Sequence, residues 1–81
     1  MTDIFRTVDD WALGGDDLQW TLYRRHKKGS RKWKVVAFVR STRSVLEKTA
    51  KENGLDGGTA KILFSGLPGD FNAWKMNQTP F

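Results

Sequence analysis

The residues that could carry acid–base catalysis, chiefly nine carboxylates and one histidine, show no spacing typical of a catalytic site. The one histidine, His26, stands in a run of lysines and arginines, where an exposed loop position is expected rather than that of a general base. The carboxylates include two adjacent pairs, Asp9-Asp10 and Asp16-Asp17, and adjacent side chains reach one substrate only if the chain turns them. A magnesium-dependent nuclease could use such pairs, but turn formation explains Asp16-Asp17 more simply. The sequence therefore predicts a protein that is not an enzyme.

Motifs that hold metals or cofactors are also missing from the sequence. The chain has no cysteine and one histidine, which excludes thiolate sites and histidine clusters. The glycine pairs Gly14-Gly15 and Gly57-Gly58 lack the G-x-x-x-x-G-K pattern of a phosphate-binding loop. We therefore expect no cofactor and no metal.

Positive charge, in contrast, is concentrated in one stretch. Residues 24–43 hold nine of the fourteen lysines and arginines and no acid, whereas residues 1–23 hold one base and five aspartates. Residues 44–81 balance four bases with four acids, so the net charge of +5 arises from residues 24–43. Such an excess indicates a polyanionic partner, usually nucleic acid, less often an acidic protein or a membrane surface.

The basic stretch lies within a predicted β-hairpin. Two apolar-rich runs, Trp20–Tyr23 and Trp33–Val39, flank it, and Gly29-Ser30 supplies a turn. A two-stranded ribbon can enter the major groove of DNA, and its cations can contact phosphates. The predicted nucleic-acid-binding residues are Arg24, Arg25, Lys27, Lys28, Arg31, Lys32 and Lys34, with Tyr23 as a ring on which a base could stack. Trp33 could also stack, although a core position is the simpler interpretation.

Two other interpretations of this hairpin stay open. Lysine and arginine at a hairpin tip are common solvated features, and on an edge strand they block unwanted strand pairing. The protein could also be a protein–protein interaction module or an inhibitor that docks on another protein, with its positive face on an acidic partner and aromatic residues as anchors.

Alternation along the hairpin predicts which side chains form the core. In the first arm Leu18, Trp20 and Leu22 share one face; in the second arm Trp33, Val35, Ala37 and Val39 do so, opposite Lys34, Val36, Phe38 and Arg40. Residues 4–13 fit a short helix or an edge strand that ends in a turn at residues 14–17; we favour the strand. The predicted core is Leu18, Trp20, Leu22, Val35, Ala37, Leu46, Ala50, Leu63, Phe64 and Trp74.

Helix signals follow the hairpin. A main helix begins at Thr42, or at Ser44 through a capping box with Glu47, and ends at Asn53-Gly54-Leu55. Residues 59–66 fit either a strand or a helix; we prefer a helix capped by Thr59, with Gly66 at its end. Asp70 caps one further turn in which Phe71 and Trp74 share a side.

These elements predict the α+β class. We expect a small antiparallel sheet of two or three strands in a meander, packed on one main helix and completed by short C-terminal helices. Residues 1–76 would form a single domain and residues 77–81 a flexible tail. The N-terminus lacks the apolar segment of a signal peptide, and no apolar run approaches the ~18 residues that span a bilayer, so we expect a cytoplasmic protein without membrane contact.

Three segments carry a resemblance to known sequences. Residues 18–25 and 33–42 form an aromatic hairpin, and residues 67–75 contain L-P-x-x-F-x-x-W. These segments resemble short uncharacterised proteins encoded in phages and prophages of proteobacteria. The resemblance implies a protein of the bacterial host cytoplasm, and small phage proteins include DNA-binding factors and inhibitors of host defence. The alternative to nucleic-acid binding would then be a phage-encoded protein–protein interaction module or inhibitor that docks on a host or viral protein. The resemblance implies no ligand and no site residue.

Overall fold

A computed structural model describes residues 3–27 and 32–78 of the chain. Four strands come first: β1 (Asp3–Val8), β2 (Trp11–Gly15), β3 (Trp20–Arg25) and β4 (Trp33–Val39). Three helices follow: α1 (Arg43–Glu52), α2 (Gly57–Leu63) and α3 (Phe71–Gln78). The strands form one antiparallel sheet in the order β1-β2-β3-β4. The α+β class and the meander are confirmed, but the prediction of two or three strands is wrong.

The additional strand comes from residues 3–15, which form a hairpin rather than a single edge strand. Its turn is at Asp9 and Asp10, where Asp9 adopts a positive φ of 52°. An aspartate tolerates this left-handed conformation better than most residues, so the turn needs no glycine. Gly14 and Gly15, which we expected in a turn, instead pair with Thr21 and Trp20 of β3.

The turn between β2 and β3 begins two residues later than expected, at Asp16. Its carboxylate accepts hydrogen bonds from the backbone N–H groups of Leu18, at 2.7 Å, and Gln19, at 3.0 Å. This bonding pattern is the usual way in which aspartate stabilises a turn. Leu18 therefore lies outside β3 and is 65% exposed, so its predicted core position is wrong.

All three helices pack on one side of the sheet, which we call the helical face. α1 lies against β4, and α2 lies against β1 and β2. The rings of Phe71 and Trp74 in α3 contact Trp20 at centroid distances of 5.6 and 6.3 Å. The sheet is therefore covered by all three helices and not, as expected, by one main helix. The core lies between the two layers and consists of Trp11, Leu13, Trp20, Leu22, Val39, Leu46, Ala50, Leu55, Leu63, Phe64, Leu67 and Phe71.

A β-bulge changes which face the residues of β4 occupy. Leu22 pairs with Ala37, but Tyr23 pairs with Val35, so Val36 is an extra residue in β4. The extra residue reverses the alternation: Val36 packs against the core, whereas Val35 is 44% exposed on the opposite side. The predicted grouping of Trp33 and Val35 with Val39, and the predicted core position of Val35, are therefore wrong.

The helix ends follow local signals. Thr42, rather than Ser44, caps α1, with its hydroxyl accepting from the N–H of Val45 at 3.3 Å. The end of α1 is as predicted, because Gly54 has a φ of 96° and Leu55 returns to the core with 3% exposure.

The preference for a helix at residues 59–66 is confirmed, but α2 is capped three residues earlier than predicted, at Asp56, and its C-cap is Phe64, so Gly66 does not end it. Asp56 caps α2 and accepts from the N–H of Thr59, so Gly57 and Gly58 belong to the first turn of the helix. Asp70 accepts from the N–H of Ala73 at 2.7 Å and starts α3. This helix reaches Gln78, and the remaining residues of the expected tail, 79–81, lie outside the described residues.

Candidate nucleic-acid interface

The β3–β4 ribbon continues toward its turn past Leu22, which is the last fully buried residue of β3. The N–H of His26 donates to the carbonyl of Lys32 at 2.9 Å and continues the ribbon past the last strand pair. We call the residues of this part the basic end: Arg24, Arg25, His26, Lys27, Lys32, Trp33 and Lys34. Lys28 and Arg31, also predicted to bind, and the expected turn at Gly29-Ser30 lie outside the described residues.

On the helical face, the basic end presents Arg24 and Lys34, which are cross-strand partners. The Arg24 guanidinium carbon lies 5.1 Å from the ring centroid of Trp11, which is 7% exposed. This distance is within the range of a cation–π contact. Together with Val36 and with Asn53 at the end of α1, the two cations line a shallow cleft. Both cations are exposed, so an anion at this cleft can reach them.

On the opposite side of the ribbon, Arg25 is held by two contacts. Its Nε lies 3.4 Å from Oδ1 of Asp10, and its guanidinium carbon lies 4.4 Å from the ring centroid of Trp33. The N–H of Arg25 also donates to the carbonyl of Asp10 at 2.8 Å. Because one charge is already paired, Arg25 adds less net positive potential than an exposed lysine, but its position is well defined.

Asp10 is a site residue that the sequence analysis did not assign to this interface. The order of strands explains its position, because in a four-stranded meander the β1–β2 turn and the β3–β4 turn lie at the same end of the sheet. The signal available in the sequence was the Asp-Asp pair between two apolar segments. Asp10, Arg24, Arg25, His26, Lys27 and Lys34 line one shallow depression at this end.

The structure thus brings the described candidate cations to one end of the molecule but does not place them on one face. Arg24 and Lys34 lie on the helical face, Arg25 lies on the other, and Lys27 and Lys32 are exposed beyond the strands. Tyr23, the predicted stacking residue, lies on the same face as Arg25 and is half-buried. Trp33 is likewise half-buried on that face and not part of the core.

The side of the sheet opposite the helices is a second feature that the sequence analysis missed. We call it the open face; its strand residues are Ile4, Thr7, Ala12, Gly14, Thr21, Tyr23, Arg25, Trp33, Val35 and Phe38. The described helices pack on the other side, although Ala12, Gly14 and Thr21 of this face are buried. Phe38 is 58% exposed there, although our alternation pattern had placed it beside lysine and arginine on a mixed face.

Within residues 3–27 and 32–78, no three histidine, aspartate or glutamate side chains come together as a metal site would require. No helix among these residues is both long enough and apolar enough to cross a membrane. Compared with protein-family models, with curated proteins and with solved structures, the chain finds no match.

Proposed function

We propose that this protein is a non-enzymatic binding protein that holds nucleic acid through the basic end. The observation that supports this proposal is the presence of cations on both faces of the β3–β4 ribbon at its basic end. Arg24 and Lys34 face one way, and Arg25 faces the other. A phosphate backbone that follows the ribbon can therefore meet positive charge on either side, and each such contact releases counterions.

Two lysines of the basic end are the best candidates for direct phosphate contacts. Lys27 and Lys34 are exposed, and neither forms an ion pair with a carboxylate that the structure describes. Arg25 is a poorer choice for a test, because a glutamate there would repel Asp10 and remove the contact with Trp33. A loss of binding could then reflect a local rearrangement rather than a missing phosphate contact.

The test is a charge reversal read by fluorescence anisotropy. Lys27→Glu with Lys34→Glu should weaken binding to labelled duplex and single-stranded DNA and lower the slope of log affinity against log salt by about 2. The matched control is Lys48→Glu with Lys61→Glu, which removes the same charge from exposed positions on α1 and α2. The control should keep most of the affinity and the slope.

Equal losses in the two variants would mean that only net charge matters and would overturn the assignment to the basic end. Binding by the unaltered protein that vanishes at physiological salt would overturn the nucleic-acid proposal itself. The alternative, docking on an acidic protein surface, would then account for the same cations. The resemblance to small phage proteins stays an expectation and is compatible with either partner.

A further inference from the structure

The open face of the β3–β4 ribbon carries an aromatic ring in each of three successive cross-strand pairs. These pairs are Arg25 with Trp33, Tyr23 with Val35, and Thr21 with Phe38. The members of a pair point to the same face, and same-face residues follow one another at about 6.8 Å along a strand. The three pairs therefore follow one another along the ribbon at steps of about 7 Å, and their rings stand in turn on β4, β3 and β4.

The row is accessible at the end that lies away from the basic end. Phe38 is 58% exposed and Val35 is 44% exposed, although both belong to β4. Large apolar side chains that stay exposed together on a sheet often mark a binding surface. The bulge at Val36 contributes to this, because it turns Val35 onto the open face beside Tyr23.

Charge along the row suits an anionic partner. The strand residues of the open face include Arg25 and no acid. Lys27 and Lys32 lie beyond the Trp33 end of the row, and Arg40 follows β4 directly at the Phe38 end. The β2–β3 turn, with Asp16 and Asp17, also lies at the Phe38 end, so positive charge is concentrated at the Trp33 end of the row. A row of rings beside a cluster of cations is the combination that single-strand-binding surfaces use.

We infer that the open face is a platform for single-stranded nucleic acid, with bases stacking on Phe38, on Tyr23 and on the Arg25–Trp33 pair. This inference rests on the proposed function and adds the form of the nucleic acid and the residues that select it. Only unpaired bases expose their ring faces, since those of a duplex are stacked within it. An arginine guanidinium plane, such as that of Arg25 over Trp33, also accepts a stacked base.

The selectivity for single strands is tested with Phe38→Ala. We expect the affinity for a labelled thymidine strand of about 12 nucleotides to fall roughly 5- to 150-fold, because stacking on one ring is lost. The affinity for a duplex of the same length should not change, and the salt slope should stay that of the unaltered protein, because no phosphate contact is removed. Phe38→Trp should restore single-strand binding.

Ile62→Ala is the matched control, because Ile62 is 60% exposed but lies on α2, on the other side of the sheet. It should leave both affinities unchanged, and circular dichroism of each variant checks that the fold is retained. A Phe38→Ala variant that binds single strands as well as the unaltered protein, or that loses duplex and single-strand binding equally, overturns the platform.

The charge reversal at Lys27 and Lys34 separates this inference from the proposed function. If the reversal weakens binding while Phe38→Ala has no effect, the platform is wrong and the basic end still binds. If the unaltered protein binds neither form at physiological salt, both proposals are wrong, and the exposed rings would then be assigned to a protein partner.

Discussion

Gly15 in β2 lies directly against the indole ring of Trp74 in α3. A Cβ atom built at Gly15 would come within 3.0 Å of three carbons of that ring, closer than Cβ atoms approach other atoms in real structures. The absence of a side chain at this position therefore lets α3 reach the sheet, where Trp74 also stacks on Phe5 with centroids 5.3 Å apart.

Gly15→Ala should lower the free energy of unfolding by about 1–3 kcal/mol, because the added methyl group forces the indole or the helix to shift. Urea denaturation measures this loss. Gly57→Ala is the matched control, since nothing lies within 4 Å of a Cβ there and alanine favours the helix, so its stability should be equal or higher. A Gly15→Ala protein as stable as the unaltered one would contradict the close contact.

The bulge in β4 makes opposite predictions for two adjacent valines. Val36→Thr should cost about 1–2 kcal/mol, because it places a hydroxyl against the core. Val35→Thr makes the same chemical change on the open face and should cost less than about 0.5 kcal/mol. Both losses are read from urea denaturation. If β4 had no bulge, Val35 would face the core and Val36 would not. Val35→Thr would then cost more stability than Val36→Thr, and that result would contradict the bulge.

Arg6 connects β1 to the end of α2. Its Nη1 lies within hydrogen-bond distance of three carbonyl oxygens, at 2.6 Å from Ser65, 3.0 Å from Leu63 and 3.3 Å from Ile62. A cation also suits the carbonyl end of a helix.

Arg6→Met keeps the apolar stem of the side chain but not these bonds, so we expect a loss of about 1–3 kcal/mol in thermal or urea denaturation. Arg6→Lys should recover part of the loss, because an ammonium group can still donate. Arg40→Met removes the same group from an exposed site after β4 and should have little effect. Equal effects at the two arginines would show that the bonds of Arg6 contribute nothing specific.

The cap of α2 should make stability depend on pH in the acid range. The Thr59 hydroxyl and N–H both donate to the carboxylate of Asp56 and lower the pKa of Asp56 from its ordinary 3.8. A carboxylate whose pKa is lower in the folded state stabilises the fold at a pH above its unfolded pKa. That contribution is lost as the pH falls through the lowered value.

Asp56→Asn keeps a capping side chain without the charge, so the melting temperature of the unaltered protein should exceed that of the variant at neutral pH. The difference should shrink as the pH falls below 3.8. Melting curves between pH 7 and the acid limit measure it. A difference that stays constant down to the lowest pH would mean that the charge of Asp56 does not stabilise the cap.

Several local features could be predicted because their signals lie within a few residues of one another. Thr42 caps the helix that follows it, and Gly54 with Leu55 ends that helix. The two arms of the basic hairpin are strands, as their β-branched and aromatic residues indicated. The concentration of lysine and arginine in residues 24–43 likewise follows from the sequence alone.

Which side chains share a face of the sheet depended on contacts between residues far apart in sequence. A single extra residue, Val36, exchanges the two faces of β4, and nothing in its own side chain distinguishes it from Val35. Asp10 reaches Arg25 only because residues 3–15 form a hairpin, which brings the β1–β2 turn to the same end of the sheet as the β3–β4 turn. The sequence by itself thus determined the types of elements and where the charge is. The tertiary structure decided which side chains share a face, because strand register is set by pairing between segments and not by either segment alone.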